Sequence, residues 1–244
     1  MVESGNAIAL MGNHEYNALC FHYRDLETGG HLRPHSIKNI MQHYETLRQF
    51  KNRQGEYEDY LEWFKTLPLF YETDTFRAVH ACWDKNHINF LRKTLVDNKL
   101  TDELIRRSID MEDPLYHSID ETLKGKEITL PDGQTFRDIL GIERTAMRIK
   151  WWENPENMTY KSISVQPIDH LPDRKINPED LTTKSWYRET TRPVFFGHYW
   201  LKGDPIFYRH NICCLDYSVA KGGKLVAYSF DGEDKLESEK LRYV

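Results

Sequence analysis

Three strand-to-loop transitions, far apart in the chain, each end on a residue able to hold a metal ion. Ala7-Ile8-Ala9-Leu10-Met11 runs into Gly12-Asn13-His14-Glu15, Arg77-Ala78-Val79 into His80, and Val194-Phe195-Phe196 into Gly197-His198. Short apolar runs of this kind read as buried strands. Side chains leaving the ends of such strands can converge at one edge of a sheet, however remote they are in sequence. Imidazole nitrogens and an amide oxygen suit Mn, Fe, Zn or Ni better than Ca. Glycine before the ligand, at 12 and 197, permits a sharp backbone turn. A lone histidine after a strand is more often a hydrogen-bonded structural residue, and His80 taken alone would read that way. The four letters at 12–15 are more particular. His22, His31, His35, His43, His87, His117, His170 and His210 read as structural or surface residues.

The rest of the chain reads as α/β. Residues 36–50 and 57–67 have helical patterning, with Tyr57, Tyr60, Leu61 and Phe64 on one face and Pro68 as the stop. Residues 69–71 and 76–80 read as strands, and Asp84 as the N-cap of a helix that turns Ile88, Leu91 and Leu95 inward. After a polar, proline-punctuated stretch, strands return at 193–198, 205–209, 212–215 and 224–230. The expectation is one domain over 1–244 with a helical insertion at about 100–190.

Composition narrows the function classes. The 244 residues hold 33 basic and 38 acidic side chains, a net charge of −5, which argues against a general nucleic-acid binder. No apolar run approaches the roughly 18 residues of a membrane span, and the first residues lack the pattern of a signal peptide. Cys20, Cys82, Cys213 and Cys214 form no C-x-x-C pair and suit a reducing, cytoplasmic compartment.

Gly12-Asn13-His14-Glu15 resembles the third signature of the calcineurin-like metallophosphoesterases. Val79-His80-Ala81 is similar to the Val-His-Ala/Gly segment that follows it, and Gly197-His198 to the last metal-binding segment. Leu215-Asp216 with Gly222-Gly223-Lys224-Leu225 resembles the C-terminal strands of the diadenosine tetraphosphatase and Ser/Thr-phosphatase-like branch. The matches fall in family order and leave out roughly residues 95–190. The resemblance implies paired β-sheets flanked by helices. It also implies a hydrolase that cleaves phosphate esters or anhydrides, including dinucleoside polyphosphates, with two divalent metal ions (Mn, Fe, Zn or Ni). Asn13, His80 and His198 would bind one metal, and His14 would be the general acid at the leaving group. The substrate would be a phosphorylated small molecule or nucleotide.

The chain also departs from the family pattern. The family's Asp-x-His and Gly-Asp-x-x-Asp-Arg-Gly motifs are not in this sequence, and Trp200 stands where some members carry a further histidine ligand. The expectation is a chain truncated at its N-terminus, without the first strand–helix–strand unit, and impaired in catalysis by the missing ligands. The alternatives are a non-catalytic remnant or regulatory binding protein of the same fold, and a protein Ser/Thr phosphatase. A basic segment of Arg137, Arg144, Arg148 and Lys150 precedes Trp151-Trp152. Arg144 and Arg148 could bind substrate phosphates, with an indole stacking on a base. Their i, i+4 spacing is ordinary helix patterning, and the preferred reading is a solvated helix face with both tryptophans packed inward.

Overall fold

The computed structural model describes residues 1–137, 141–181 and 185–244. Among these residues the chain is mixed α/β, with seven α-helices and several small sheets. No described helix is long and apolar enough to cross a membrane. The chain divides into two units. The first comprises Met1–Tyr71 and His87–Leu123, and the second Glu72–Asn86 and Lys124–Val244.

The helices of the first unit are α1 (Asn13–His22), α2 (Ile37–Gln49) and α3 (Gln54–Lys65). After strand β1 (Phe70–Glu72) come α4 (Lys85–Thr94), α5 (Asp102–Arg107) and α6 (Pro114–Lys124). Helix α1 buries Tyr16, Ala18, Leu19, Cys20 and Phe21, and it contacts α3 and α5. Its Tyr16 hydroxyl meets Ser108 Oγ at 2.7 Å, so the phenol is buried with its polar end satisfied. The Ser36 hydroxyl accepts from the Asn39 N–H at 3.3 Å and caps α2. In α3 Tyr57 and Leu61 are buried as their spacing requires, while Tyr60 is exposed. Ile88, Leu91 and Leu95 line the inner face at α4. The outer face of α2 shows Ile37, Met41 and Tyr44 to solvent, and its one buried residue is His43.

Residues 7–11 are not the expected strand. They run without strand pairing, and Ile8 is 55% exposed. The Met11 N–H donates to the Pro68 carbonyl at 2.9 Å. Proline has no N–H to return, so the pair cannot close as an antiparallel bridge.

The second unit holds β2 (Arg77–Val79), β3 (Glu127–Thr129), β4 (Phe136–Arg137), β5 (Glu143–Arg144) and β6 (Ala146–Arg148). Helix α7 (Tyr160–Ile163) follows, then β7 (Val194–Phe196), β8 (Ile212–Cys214), β9 (Asp216–Tyr217), β10 (Lys224–Tyr228) and β11 (Leu241–Tyr243). Strands β2, β7 and β8 lie side by side and parallel, with Ala78 opposite Phe195 and Phe195 opposite Cys213. Parallel strands buried on both faces favour continuous apolar runs, and Val194-Phe195-Phe196 and Ile212-Cys213-Cys214 are such runs. Strand β10 pairs antiparallel with β9 and β11. Residues 205–209 are not the expected strand. They lead into a tight turn onto β8, where the Tyr208 N–H reaches the Ile212 carbonyl at 3.2 Å.

The expected helical insertion carries strands as well. Strands β3 and β6 pair antiparallel, and beneath them Ile128, Met147, Ile149, Tyr160 and Ile163 form a core. Arg144 and Arg148 lie on β5 and β6, so the helical reading of their spacing is corrected. Their neighbours Thr145, Met147 and Ile149 include the β-branched types that suit a half-buried strand.

Asp84 and Lys126 form a buried ion pair at 2.8 Å, with side chains 2% and 3% exposed. Burial alone would raise the Asp84 carboxyl. The Lys126 ammonium, the Ser185 hydroxyl and the Asn86 N–H outweigh it and hold the group at about 2. Lys126→Met leaves that carboxylate buried without its counter-ion and is expected to cost roughly 3–5 kcal/mol in chemical denaturation. Because the folded-state pKa lies below the unfolded one, the pair's stabilisation is present above about pH 4. It fades as pH falls towards 2. In Asp84→Asn that acid-dependent component should be missing from the melting profile.

Gly223 gives a second test. A Cβ built there would lie 2.0 Å from the Tyr217 carbonyl oxygen, a backbone atom that cannot swing aside. Gly223→Ala should cost at least about 2 kcal/mol in the same denaturation experiment.

Candidate functional site

Strands β2 and β7 end side by side, and the residues just beyond them meet. His80 Nε2 lies 3.2 Å from His198 Nδ1, and the rings are edge-on at a centroid distance of 5.1 Å. The parallel register continues past the strands through the Gly197 N–H, which donates to the His80 carbonyl at 2.9 Å. Open α/β sheets place ligands at the carboxyl ends of their strands, and this pair stands there.

The donor set can be tested against a metal ion on this geometry. Two nitrogens each about 2.1 Å from one ion stand roughly 3.0 Å apart at a right angle and roughly 3.4 Å apart at a tetrahedral angle. The observed 3.2 Å falls between these values. The two nitrogens contact each other directly, as a hydrogen-bonded pair, and their separation alone fits adjacent positions around a transition metal.

The loop after His198 is strained and anchored. His198 has φ 73° and Trp200 φ 51°, both in the left-handed region, while Gly197 does not. Gly12 has φ −101°, an extended value open to any residue. The expectation that glycine makes the turn at 12 and 197 is therefore corrected, because the unusual conformation falls on the histidine itself. Backbone strain of this kind persists only where the surroundings over-determine it. Asp216 supplies that determination. One carboxylate oxygen accepts the Trp200 N–H at 3.1 Å, the other accepts the Ser218 N–H at 3.0 Å, and its carbonyl accepts the Leu201 N–H at 3.0 Å. With both oxygens engaged, Asp216 positions the loop. Trp200 stays exposed beneath the Lys221 ammonium, which lies 3.6 Å from the ring centroid.

Asn13 and His14 belong to the first unit, where they open α1. Asn13 is half-buried and His14 exposed. Glu15 reaches back, and its Oε2 accepts the Gly12 N–H at 2.9 Å, the carboxylate half of a capping box. This bond fixes the backbone that presents both preceding side chains.

Arg148 faces Glu127 across β3 and β6, Nε to Oε1 at 3.4 Å, a partly exposed pair of modest worth. Trp151 and Trp152 are 3% and 1% exposed and pack on Phe196. They brace β7 from inside, as the inward-packing alternative required. Burial pushes the Cys213 thiol up to about 12 and the Cys214 thiol further, so neither is a thiolate nucleophile at neutral pH. In the first unit His87 Nδ1 lies 3.0 Å from Ser118 Oγ, and Glu121 is 3.5 Å from His87 Nε2. That serine is buried and donates its proton to the Pro114 carbonyl at 2.8 Å, which disfavours a nucleophilic role.

Two features escaped the sequence reading. The anchoring role of Asp216 depends on the turn after β8, which no local pattern announces. The histidines at 22, 31, 35 and 43 each read as ordinary, yet they cluster. One available signal was that residues 31–44 contain no Asp or Glu. No protein-family model, curated protein or solved structure matches this chain.

Proposed function

We propose that this chain is a calcineurin-like metallophosphoesterase, a hydrolase acting on phosphate esters or anhydrides. The observation that carries the reading is the His80–His198 pair at the ends of two parallel strands, with nitrogens spaced for one ion. These residues occupy the positions at which the motif resemblance expects metal ligands. On that resemblance Asn13 is a third ligand, and His14 gives a proton to the leaving-group oxygen.

A bound divalent cation would supply charge for the phosphoryl oxygens and lower the pKa of a bound water. The protein's own residues do the rest. His80 and His198 would each supply one ring nitrogen, the two that lie 3.2 Å apart. Asp216 holds the strained loop so that the His198 ring cannot drift. Glu15 fixes the first turn of α1, and the exposed His14 can exchange a proton with a substrate oxygen. The expected ligand set of Asn13, His80 and His198 is neutral, which leaves a dication poorly compensated. Turnover is therefore expected to be slow for a phosphatase.

The test pairs metal analysis with phosphate release from p-nitrophenyl phosphate and diadenosine tetraphosphate. The chain loaded with Mn²⁺ should retain the metal through gel filtration. Both His80→Ala and His198→Ala should lose most of it, and Asn13→Ala should lower it. His14→Ala should keep the metal and lower phosphate release by roughly 10²–10⁴-fold. Unchanged metal content in both imidazole variants would rule the reading out.

A further inference from the structure

A second concentration of chemistry lies wholly within the first unit. Helix α1 ends at His22, and the loop that follows folds back on that end. The Arg33 N–H donates to the Cys20 carbonyl at 2.8 Å, and the Leu32 N–H to the Tyr23 carbonyl at 3.0 Å. His35 Nε2 donates to the Phe21 carbonyl at 2.8 Å, and its ring stacks on Phe21 at 3.9 Å. His31 stacks on the other side of His35 at 3.8 Å. From α2, His43 approaches Phe21 at 4.8 Å and His22 at 5.6 Å, and its Nε2 meets the Tyr57 hydroxyl at 2.8 Å. Three stretches of chain thus bring the His22, His35 and His43 imidazoles against one phenylalanine, with His31 stacked behind His35.

The charge balance of this cluster is one-sided. Arg33 Nη2 donates to Gln42 Oε1 at 2.6 Å, and among the described residues no carboxylate pairs with it. Burial already lowers the pKa of this guanidinium, opposed only by Cys20. His43 is 7% exposed. Burial first, then the charges of His22, Arg33, His14 and His35, push its pKa down to about 4. His22 is lowered by burial, His35 and His31, and His31 by burial, His35 and Arg24. Tyr57, on α3, is itself raised by burial and brings no negative charge near neutrality. His22 Nε2 is shielded from solvent and has no hydrogen-bond partner among the described residues. A half-buried guanidinium and an unsatisfied imidazole nitrogen, with no acid to answer either, are costly in a protein that folds only to hold them so.

We propose that Arg33, His22 and His43 form a binding site for a tetrahedral oxyanion, the phosphate group of a phosphorylated ligand. An anion answers every feature at once. Arg33 offers a planar fork that matches two oxygens of a phosphate. Once protonated, His22 on α1 and His43 on α2 become further donors, His43 through Nδ1 because its Nε2 meets the Tyr57 hydroxyl. Donors from three stretches of chain suit a tetrahedral dianion better than a flat carboxylate. Binding should draw protons onto His22 and His43, because a bound negative charge favours their charged forms. The site needs no metal and does not rest on the metallophosphoesterase reading.

The test is calorimetric titration of the whole chain in EDTA with inorganic phosphate and, separately, sulfate. Sulfate keeps its charge over the neutral range, so any pH dependence in its binding belongs to the protein. Both anions should bind, and sulfate affinity should rise as pH falls from 8 to 6, by up to roughly tenfold per pH unit for each proton taken up. Arg33→Met should weaken binding roughly ten- to hundredfold. The His22 and His43 imidazole NMR signals of the parent chain should shift on titration, a readout that does not depend on any variant folding. Absence of binding overturns the proposal, as does Arg33→Met binding like the parent or signals that stay still. Because EDTA removes the metal, failure here leaves the His80–His198 reading standing, and loss of metal binding there leaves this site standing.

Discussion

One backbone hydrogen bond, from the Gly197 N–H to the His80 carbonyl, ties the two strand ends on which the candidate site depends. Parallel pairing of β2 with β7 sets the registry, and this bond extends it beyond the last paired residues. The imidazoles are then neighbours because their backbones are. Trp151 and Trp152 act on the same element from beneath, filling the space under Phe196 so that β7 has one packed position. Asp216 acts from the far side, on the loop that leaves it. Sheet register, core packing and a carboxylate clasp thus converge on one pair of rings.

The two units place different demands on their histidines. In the second unit His80 and His198 stand at strand ends, where the backbone presents them and leaves their nitrogens to face one another. In the first, His43 is the inner contact of a helix whose apolar side chains point outward. An imidazole in a position normally held by leucine carries a desolvation cost. The Tyr57 hydroxyl offsets part of that cost for His43. His22 Nε2 has no such partner.

Legibility in the sequence followed the range of the interactions involved. The Asp84 cap and the inward face of Ile88, Leu91 and Leu95 are local, and local patterning announced them. The strand ending at His198 was readable because a continuous apolar run suits a parallel strand buried on both faces. Residues 7–11 have the same apolar character, but they run without strand pairing and Ile8 is left exposed. Arg144 and Arg148 misled through spacing alone, because i, i+4 recurs on a helix face and on alternate positions of two short strands alike. The glycines before Asn13 and His198 misled through chemistry. They could have adopted the left-handed conformation, but the clasp around Asp216 imposes it on His198 and Trp200 instead.

The separation of His80 from His198 along the chain, 118 residues, has a kinetic meaning. Local helices can form within microseconds, whereas a parallel pairing across so long a loop must wait until the loop's closure entropy has been overcome. The intervening residues include a stretch with its own apolar centre around Ile128, Met147 and Tyr160. Collapse of that centre shortens the effective loop before β2 and β7 meet. On a ribosome, β2 would emerge long before its neighbour exists, leaving an unpaired strand edge during synthesis. The imidazole pair is thus among the latest features to be assembled as the chain folds.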